Sequence, residues 1–239
     1  MRRGFWAVLS VLAPAWAVGA PQAPRVVRFK AADGTPLVAD YVAPKPGKPT
    51  LVLLHGVAAW RGEWRRLSAA LAERGVGSLA LDFRGHGESG GPKNETFRTT
   101  EAWVLLERDV EAALRFAGAQ GRKPAPAGLV GASMGANLAA RVAARQPRVP
   151  CLALLSSGIE YRGVGIEDAL DRFVRPLWVA SSPPDRYAHE TAQFLRGLVP
   201  KAAFASAPGG HGAQMLEDPA LLDRLTAWLE AACLLGRGD

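Results

Sequence analysis

From Thr50 onward the chain alternates short, unbroken apolar runs with longer segments in which apolar residues recur every three to four positions. The runs are Thr50 to Leu54, Gly77 to Phe83, Ala127 to Gly131, Cys151 to Leu155, Pro176 to Ser181 and Lys201 to Ala205. Each is too short for a stable helix and lacks the polar alternation of a half-exposed strand, so each predicts a strand buried on both faces. The segments of helical period between them run near Arg61 to Glu73, Glu101 to Ala119, Met134 to Arg145, Tyr187 to Leu198 and Asp218 to Ala232. Strand and helix in alternation predict an α/β fold, a mostly parallel central sheet with helices on both faces.

Ahead of this pattern, "RVVRFKAADGTPLVADYVAP" alternates apolar and polar residues on both sides of Asp33-Gly34. That is the pattern of an antiparallel hairpin, which would extend the sheet at one edge. No internal repeat or composition break divides the chain. The stretch "GRKPAPAG" is the nearest to a linker and is short enough for a helix-to-strand loop.

The opening "MRRGFWAVLSVLAPAWAVGAPQAP" reads differently. Two arginines precede an apolar run from Phe5 to Val18, and small residues follow. This predicts a secretory signal peptide over residues 1–20, with cleavage after Ala17 or, preferred here, Ala20. The alternative is an uncleaved anchor, disfavoured because the run falls short of the roughly 20 apolar residues that span a bilayer; with the leader removed, no stable membrane insertion is expected. The expected location is periplasmic or extracellular, and residues 21–239 are expected to form one domain.

With 239 residues, 49% of them hydrophobic, the chain can bury a large core. Its net charge of +7 includes Arg2 and Arg3 of the leader, and no basic run carries interleaved aromatics, so nucleic-acid binding is unsupported. The four histidines and two cysteines show neither H-E-x-x-H nor Cys-x-x-Cys spacing, so no metal is expected. Cys151 and Cys233 could pair after export, or could serve as two small buried hydrophobes.

Candidate chemistry gathers where strands end, the edge at which open α/β sheets bind ligands. Ser133 follows the run ending at Gly131, inside Gly131-Ala132-Ser133-Met134-Gly135, directly before a helical segment. A sharp turn there would raise its hydroxyl from the sheet edge, above a helix N-terminus that favours developing negative charge. This G-x-S-x-G resembles the nucleophile elbow of the α/β-hydrolase superfamily. Two further segments are similar to that family: "LVLLHGVAAW", whose strand ends in His-Gly, and "LDFRGHGESGG", a glycine-rich turn.

The resemblance implies an oxyanion hole from the backbone N–H groups of Val57 and Met134, with His55 shaping the loop. In "LDFRGHGESGG", Arg84 and His86 are expected to fix the turn. The family order of serine, acid and histidine assigns Asp185, in "SSPPDRYAHE", as the acid and His211, in "GGHGAQML", as the base. Glu160 is the alternative acid and His189 the alternative base. Trp64 is expected in the core, and Trp60 stands open between core and substrate pocket.

Only about 20 residues separate the strand ending near Leu155 from that beginning at Pro176, room for one short helix and no lid domain. The chain therefore resembles compact, lidless members, the dienelactone-hydrolase-like enzymes and small carboxylesterases. The implied activity is cleavage of esters of small or short-chain acids by Ser133, Asp185 and His211, with a small-molecule ester as substrate and no cofactor. Acyltransferases and cofactor-free haloperoxidases share the same triad, and the fold also hosts non-catalytic binding proteins.

Overall fold

The computed structural model describes residues 23–120, 125–171 and 173–235. The leader expected over residues 1–20 lies outside the described residues, as does the first half of "GRKPAPAG". Among the described residues no helix is long and apolar enough to cross a membrane.

The sheet starts as expected. Strands β1 (Arg25–Lys30) and β2 (Pro36–Val42) pair antiparallel around a turn at Asp33-Gly34, where Gly34 takes φ 85°. Strands β3 (Thr50–Leu54), β4 (Gly77–Asp82), β5 (Ala127–Ala132) and β6 (Leu152–Leu155) follow. After β6 comes a small two-stranded hairpin, β7 (Glu160–Tyr161) and β8 (Val164–Gly165), and then β9 (Leu177–Ser181) and β10 (Ala203–Ser206) complete the main sheet. Its order is β1-β2-β4-β3-β5-β6-β9-β10; β2 runs antiparallel to β4, and the six strands from β4 to β10 are parallel.

The helices are α1 (Arg65–Glu73), α2 (Thr100–Val104), α3 (Glu107–Gly118), α4 (Met134–Arg145), α5 (Glu167–Asp171), α6 (Arg186–Leu198) and α7 (Pro219–Leu235). The unbroken apolar runs have a direct cause. In β3, Val52 and Leu54 face the layer holding α3 and α4, with Val110, Ala113, Leu138 and Val142. Leu51 and Leu53 face the layer holding α1 and α7, with Leu67, Leu71, Leu225 and Leu229. Both faces are covered, so neither tolerates polar residues, and each fully buried leucine contributes about 1.5–3 kcal/mol of transfer free energy.

Two expectations are refined. The single helix expected over Glu101 to Ala119 is two, because the chain tightens at Leu105-Leu106, where the Leu106 N–H reaches back three residues to the Trp103 carbonyl at 3.2 Å. That turn buries both Trp103 and Leu106. The segment between β6 and β9 holds the β7–β8 hairpin as well as the short helix α5, still far less than a lid domain.

Cys151, one residue before β6, is joined to Cys233 of α7 by a disulfide, with Cα atoms 5.0 Å apart. Trp64 is fully buried, as expected of a core residue.

Candidate active site

The loops at the carboxyl ends of β3, β4, β5, β6, β9 and β10 meet at one edge of the sheet. Among the described residues, the non-glycine residues with positive φ are Ala58, Ser133, Ser156 and Arg162, and all four stand in these loops or in the β7–β8 hairpin. Backbone strain of this kind costs about 1–3 kcal/mol per residue and persists where surrounding contacts over-determine the chain.

Ser133 links β5 to α4 with φ 53° and ψ −122°. The turn closes only because its neighbours lack side chains. A Cβ on Gly131 would collide with the backbone of Gly135, and one on Gly135 with the backbone carbonyls of Leu54 and His55. The turn thus packs directly on the end of β3 and brings Ser133 beside Gly56. Met134 opens α4, so its N–H is one of the first-turn amides with no acceptor within the helix. The Val57 N–H, one residue past Gly56, is bonded to nothing among the described residues.

Beneath that loop, His55 donates from Nδ1 to the Gly56 carbonyl at 2.7 Å and accepts the Phe83 N–H on Nε2 at 3.1 Å. Those partners define a neutral ring, and burial lowers its pKa to about 3. It is a structural histidine. The Gly56 N–H donates to Glu63 Oε1 at 3.2 Å, and burial pushes the Glu63 carboxyl up to about 7.

The loop after β4 is held by ions. Buried Arg84 meets buried Asp109 at 2.6 Å and Asp33 of the β1–β2 turn at 2.7 Å, while its carbonyl meets His86 Nδ1 at 3.0 Å. Arg61 binds Asp40, Asp82 and Glu88. Arg84 and His86 thus fix this loop, as the glycine-rich motif implied.

Asp185, at the N-terminus of α6, and His211, after β10, come together: Nδ1 of the imidazole is 2.7 Å from the Asp185 carboxylate. His211 remains half-exposed, open to a ligand. The alternatives are placed elsewhere. His189 lies on α6 with Nδ1 3.2 Å from Ser181 Oγ and Nε2 3.4 Å from Gln193. The Glu160 carboxylate is exposed on β7, with no hydrogen bond among the described residues. Trp60 is 43% exposed, its indole over Gly62 and flanked by the guanidinium groups of Arg61 and Arg65.

Ser133 Oγ makes no hydrogen bond to His211 among the described residues. The Tyr161 hydroxyl lies beside it instead, while donating to the Ser156 carbonyl at 3.2 Å. Such hydrogen bonds often tighten only when a substrate arrives. Burial pushes the Tyr161 hydroxyl up to about 12, so it stays protonated. Tyr161 escaped the sequence reading, as did Asn137, which donates from α4 to the carbonyls of Gly158 (3.0 Å) and Val164 (2.7 Å) and accepts the Gly158 N–H (3.3 Å). A tyrosine in a stretch without periodicity and an asparagine inside a helix carry no sequence signal for these contacts.

A concavity of about 310 Å³ between Arg115, Pro126 and Arg148 lies at the opposite, amino-terminal end of the strands and is no part of this site. Among the described residues no cluster of His, Cys, Asp and Glu is placed to hold a metal ion.

Known structures share this architecture. An esterase from Pyrococcus furiosus superposes with a TM-score of 0.73 at 18% identity, over 88% of this chain and 91% of that one. The ferulic-acid complex of Est1E from Butyrivibrio proteoclasticus gives 0.70 at 18% identity, over 84% and 98%. An esterase domain from a Rhodothermus marinus protein gives 0.69 at 21% identity, over 89% and 100%. At these identities the likeness is one of fold. Residues 49–184, more than half of the sequence, match the family model described as the alpha/beta hydrolase fold, and the chain belongs to that family.

Proposed function

We propose that the chain is an exported serine hydrolase that cleaves esters of small or short-chain acids. The observation that carries this reading is the Asp185–His211 pair at 2.7 Å, delivered to the same sheet edge as the strained Ser133. Neither alternative partner, Glu160 or His189, joins that pair.

In the proposed reaction, His211 Nε2 takes the Ser133 proton as Oγ bonds to the ester carbonyl carbon. The carbonyl oxygen becomes an oxyanion between the Val57 and Met134 N–H groups. Asp185 accepts the hydrogen bond of His211 Nδ1–H and stabilises the imidazolium. Collapse of the intermediate breaks the bond to the alcohol oxygen, which leaves with the proton from Nε2. Water then attacks the acyl-enzyme with His211 again as base, releasing the acid and restoring the Ser133 hydroxyl. No redox or metal chemistry enters, so the atoms balance with water alone.

Esterase neighbours of the same fold support ester cleavage as the reaction class, and the sequence pattern of two arginines followed by the apolar run from Phe5 to Val18 supports export. The short insertion between β6 and β9 supports small substrates, because little chain is present to cover a long acyl tail. The test is a fluorophosphonate probe followed by peptide mapping, with Ser133→Ala alongside. Labelling of Ser133 and a loss of about 10⁴ in ester turnover in the variant are expected. A folded Ser133→Ala protein that keeps most of the wild-type rate would overturn the reading.

A further inference from the structure

His211 sits on a loop between two glycines of positive φ, Gly210 at 88° and Gly212 at 58°. Such a loop has little stiffness of its own, since glycine restricts neither side of the histidine. Two buried serines hold it. The Ser182 hydroxyl, just past β9, donates to the Gly210 carbonyl at 2.5 Å. The Ser156 hydroxyl, just past β6, accepts the Gly212 N–H at 2.9 Å. Both residues are fully buried.

Each serine also binds a second part of the site. The Ser182 carbonyl accepts the Asp185 N–H at 3.0 Å, so one residue holds the acid's backbone and the histidine's loop together. Ser156 bonds through its N–H to the Ala180 carbonyl at 2.9 Å, and its own carbonyl takes the Tyr161 hydroxyl. Its φ of 51° turns it out of strand geometry, and its hydroxyl meets the histidine loop. Strain at a non-glycine residue is retained here at a position whose side chain has a defined partner.

We propose that Ser156 and Ser182 are positioning residues that clamp the peptide groups on either side of His211 and thereby set the imidazole between Asp185 and Ser133. The proposal rests on the triad reading above. Both residues are buried, so neither hydroxyl is open to a ligand from solvent. Their effect reaches the reaction through the orientation of one ring, for which displacement by an ångström is worth about a hundredfold in rate.

The test uses the mature chain with Ser156→Ala, Ser182→Ala, the double variant and Ser182→Thr. Fluorophosphonate titration counts competent sites, and kcat is expressed per titrated site, so a misfolded fraction drops out. Each alanine variant is expected to lose about tenfold in kcat per site with KM little changed, the double variant about a hundredfold, and Ser182→Thr to recover most of the loss. Proton NMR provides an arm that does not depend on Ser133: a downfield His211 Nδ1–H signal is expected to be sharp in the wild type and to broaden in both alanine variants. Wild-type kcat per site with an unchanged signal in both would overturn the clamp, as would a loss confined to KM. Failure of the probe to label Ser133 would instead overturn the hydrolase reading, leaving the NMR arm to decide the clamp.

Discussion

Glu63 stands under the loop that carries the Val57 N–H, with its Oε1 accepting the Gly56 N–H. Burial raises its carboxyl from the ordinary 4.5 to about 7, against the Gly56 hydrogen bond, which favours the ionised form. Each tenfold change in a proton equilibrium is worth about 1.4 kcal/mol, so this difference amounts to about 3 kcal/mol, an upper value for a side chain that keeps some solvent contact. The folded chain holds this proton more tightly than the unfolded chain. The stabilisation is therefore fully present below pH 4.5 and is lost as pH rises through 7.

Glu63→Gln removes the titration while leaving an oxygen for Gly56. Urea unfolding followed by tryptophan fluorescence, between about pH 5 and pH 8, isolates the effect as the difference between variant and wild type, in which other titrating groups cancel. The variant is expected to gain about 2–3 kcal/mol on the wild type over that range, with near equality at the acid end. A difference that stays constant with pH would refute the reasoning, because a group ionised throughout contributes no slope.

Further outcomes follow from the site. His211→Ala is expected to match the loss of Ser133→Ala while His189→Ala keeps most of the activity, and Asp185→Asn should cost far more than Glu160→Gln; kcat/KM on p-nitrophenyl acetate ranks them, and the opposite order would reassign the acid or the base. Asn137→Ala strands two buried carbonyls and one N–H, so chemical denaturation should show a loss of about 2–4 kcal/mol. Across p-nitrophenyl esters from acetate to palmitate, acetate to butyrate should be preferred, since methylenes that find no apolar wall forgo about 0.8 kcal/mol each. A maximum at C12 or longer, or a jump in rate at an oil–water interface, would contradict the small-substrate reading.

The parts of the fold legible in the sequence are those for which burial imposes a pattern along the chain. Leu51 to Leu54 must be apolar at every position because β3 is covered on both faces, and the expected strand coincides with the observed one. The turn around Ser133 was legible for a similar reason, since Gly131 and Gly135 answer steric contacts a few residues away. The β7–β8 hairpin was not, because two-residue strands are too short to show alternation. The side-chain hydroxyls of Ser156, Ser182 and Tyr161 bond backbone partners between 5 and 56 residues distant, which no local pattern encodes. The pairing of Cys151 with Cys233, left open by the sequence, depends on where α7 docks against the sheet.

From the helix that Ser133 begins, Asn137 grips Gly158, two residues ahead of β7, and Val164 of β8, and Thr191 of α6 accepts the Ile159 N–H at 3.2 Å. The hairpin segment and Ser133 therefore share α4 as a common support, so a displacement of that helix would carry both together. A longer segment grafted between β6 and β9 would then have to keep its partners on α4 and α6, since without Asn137 and Thr191 it would have no fixed edge.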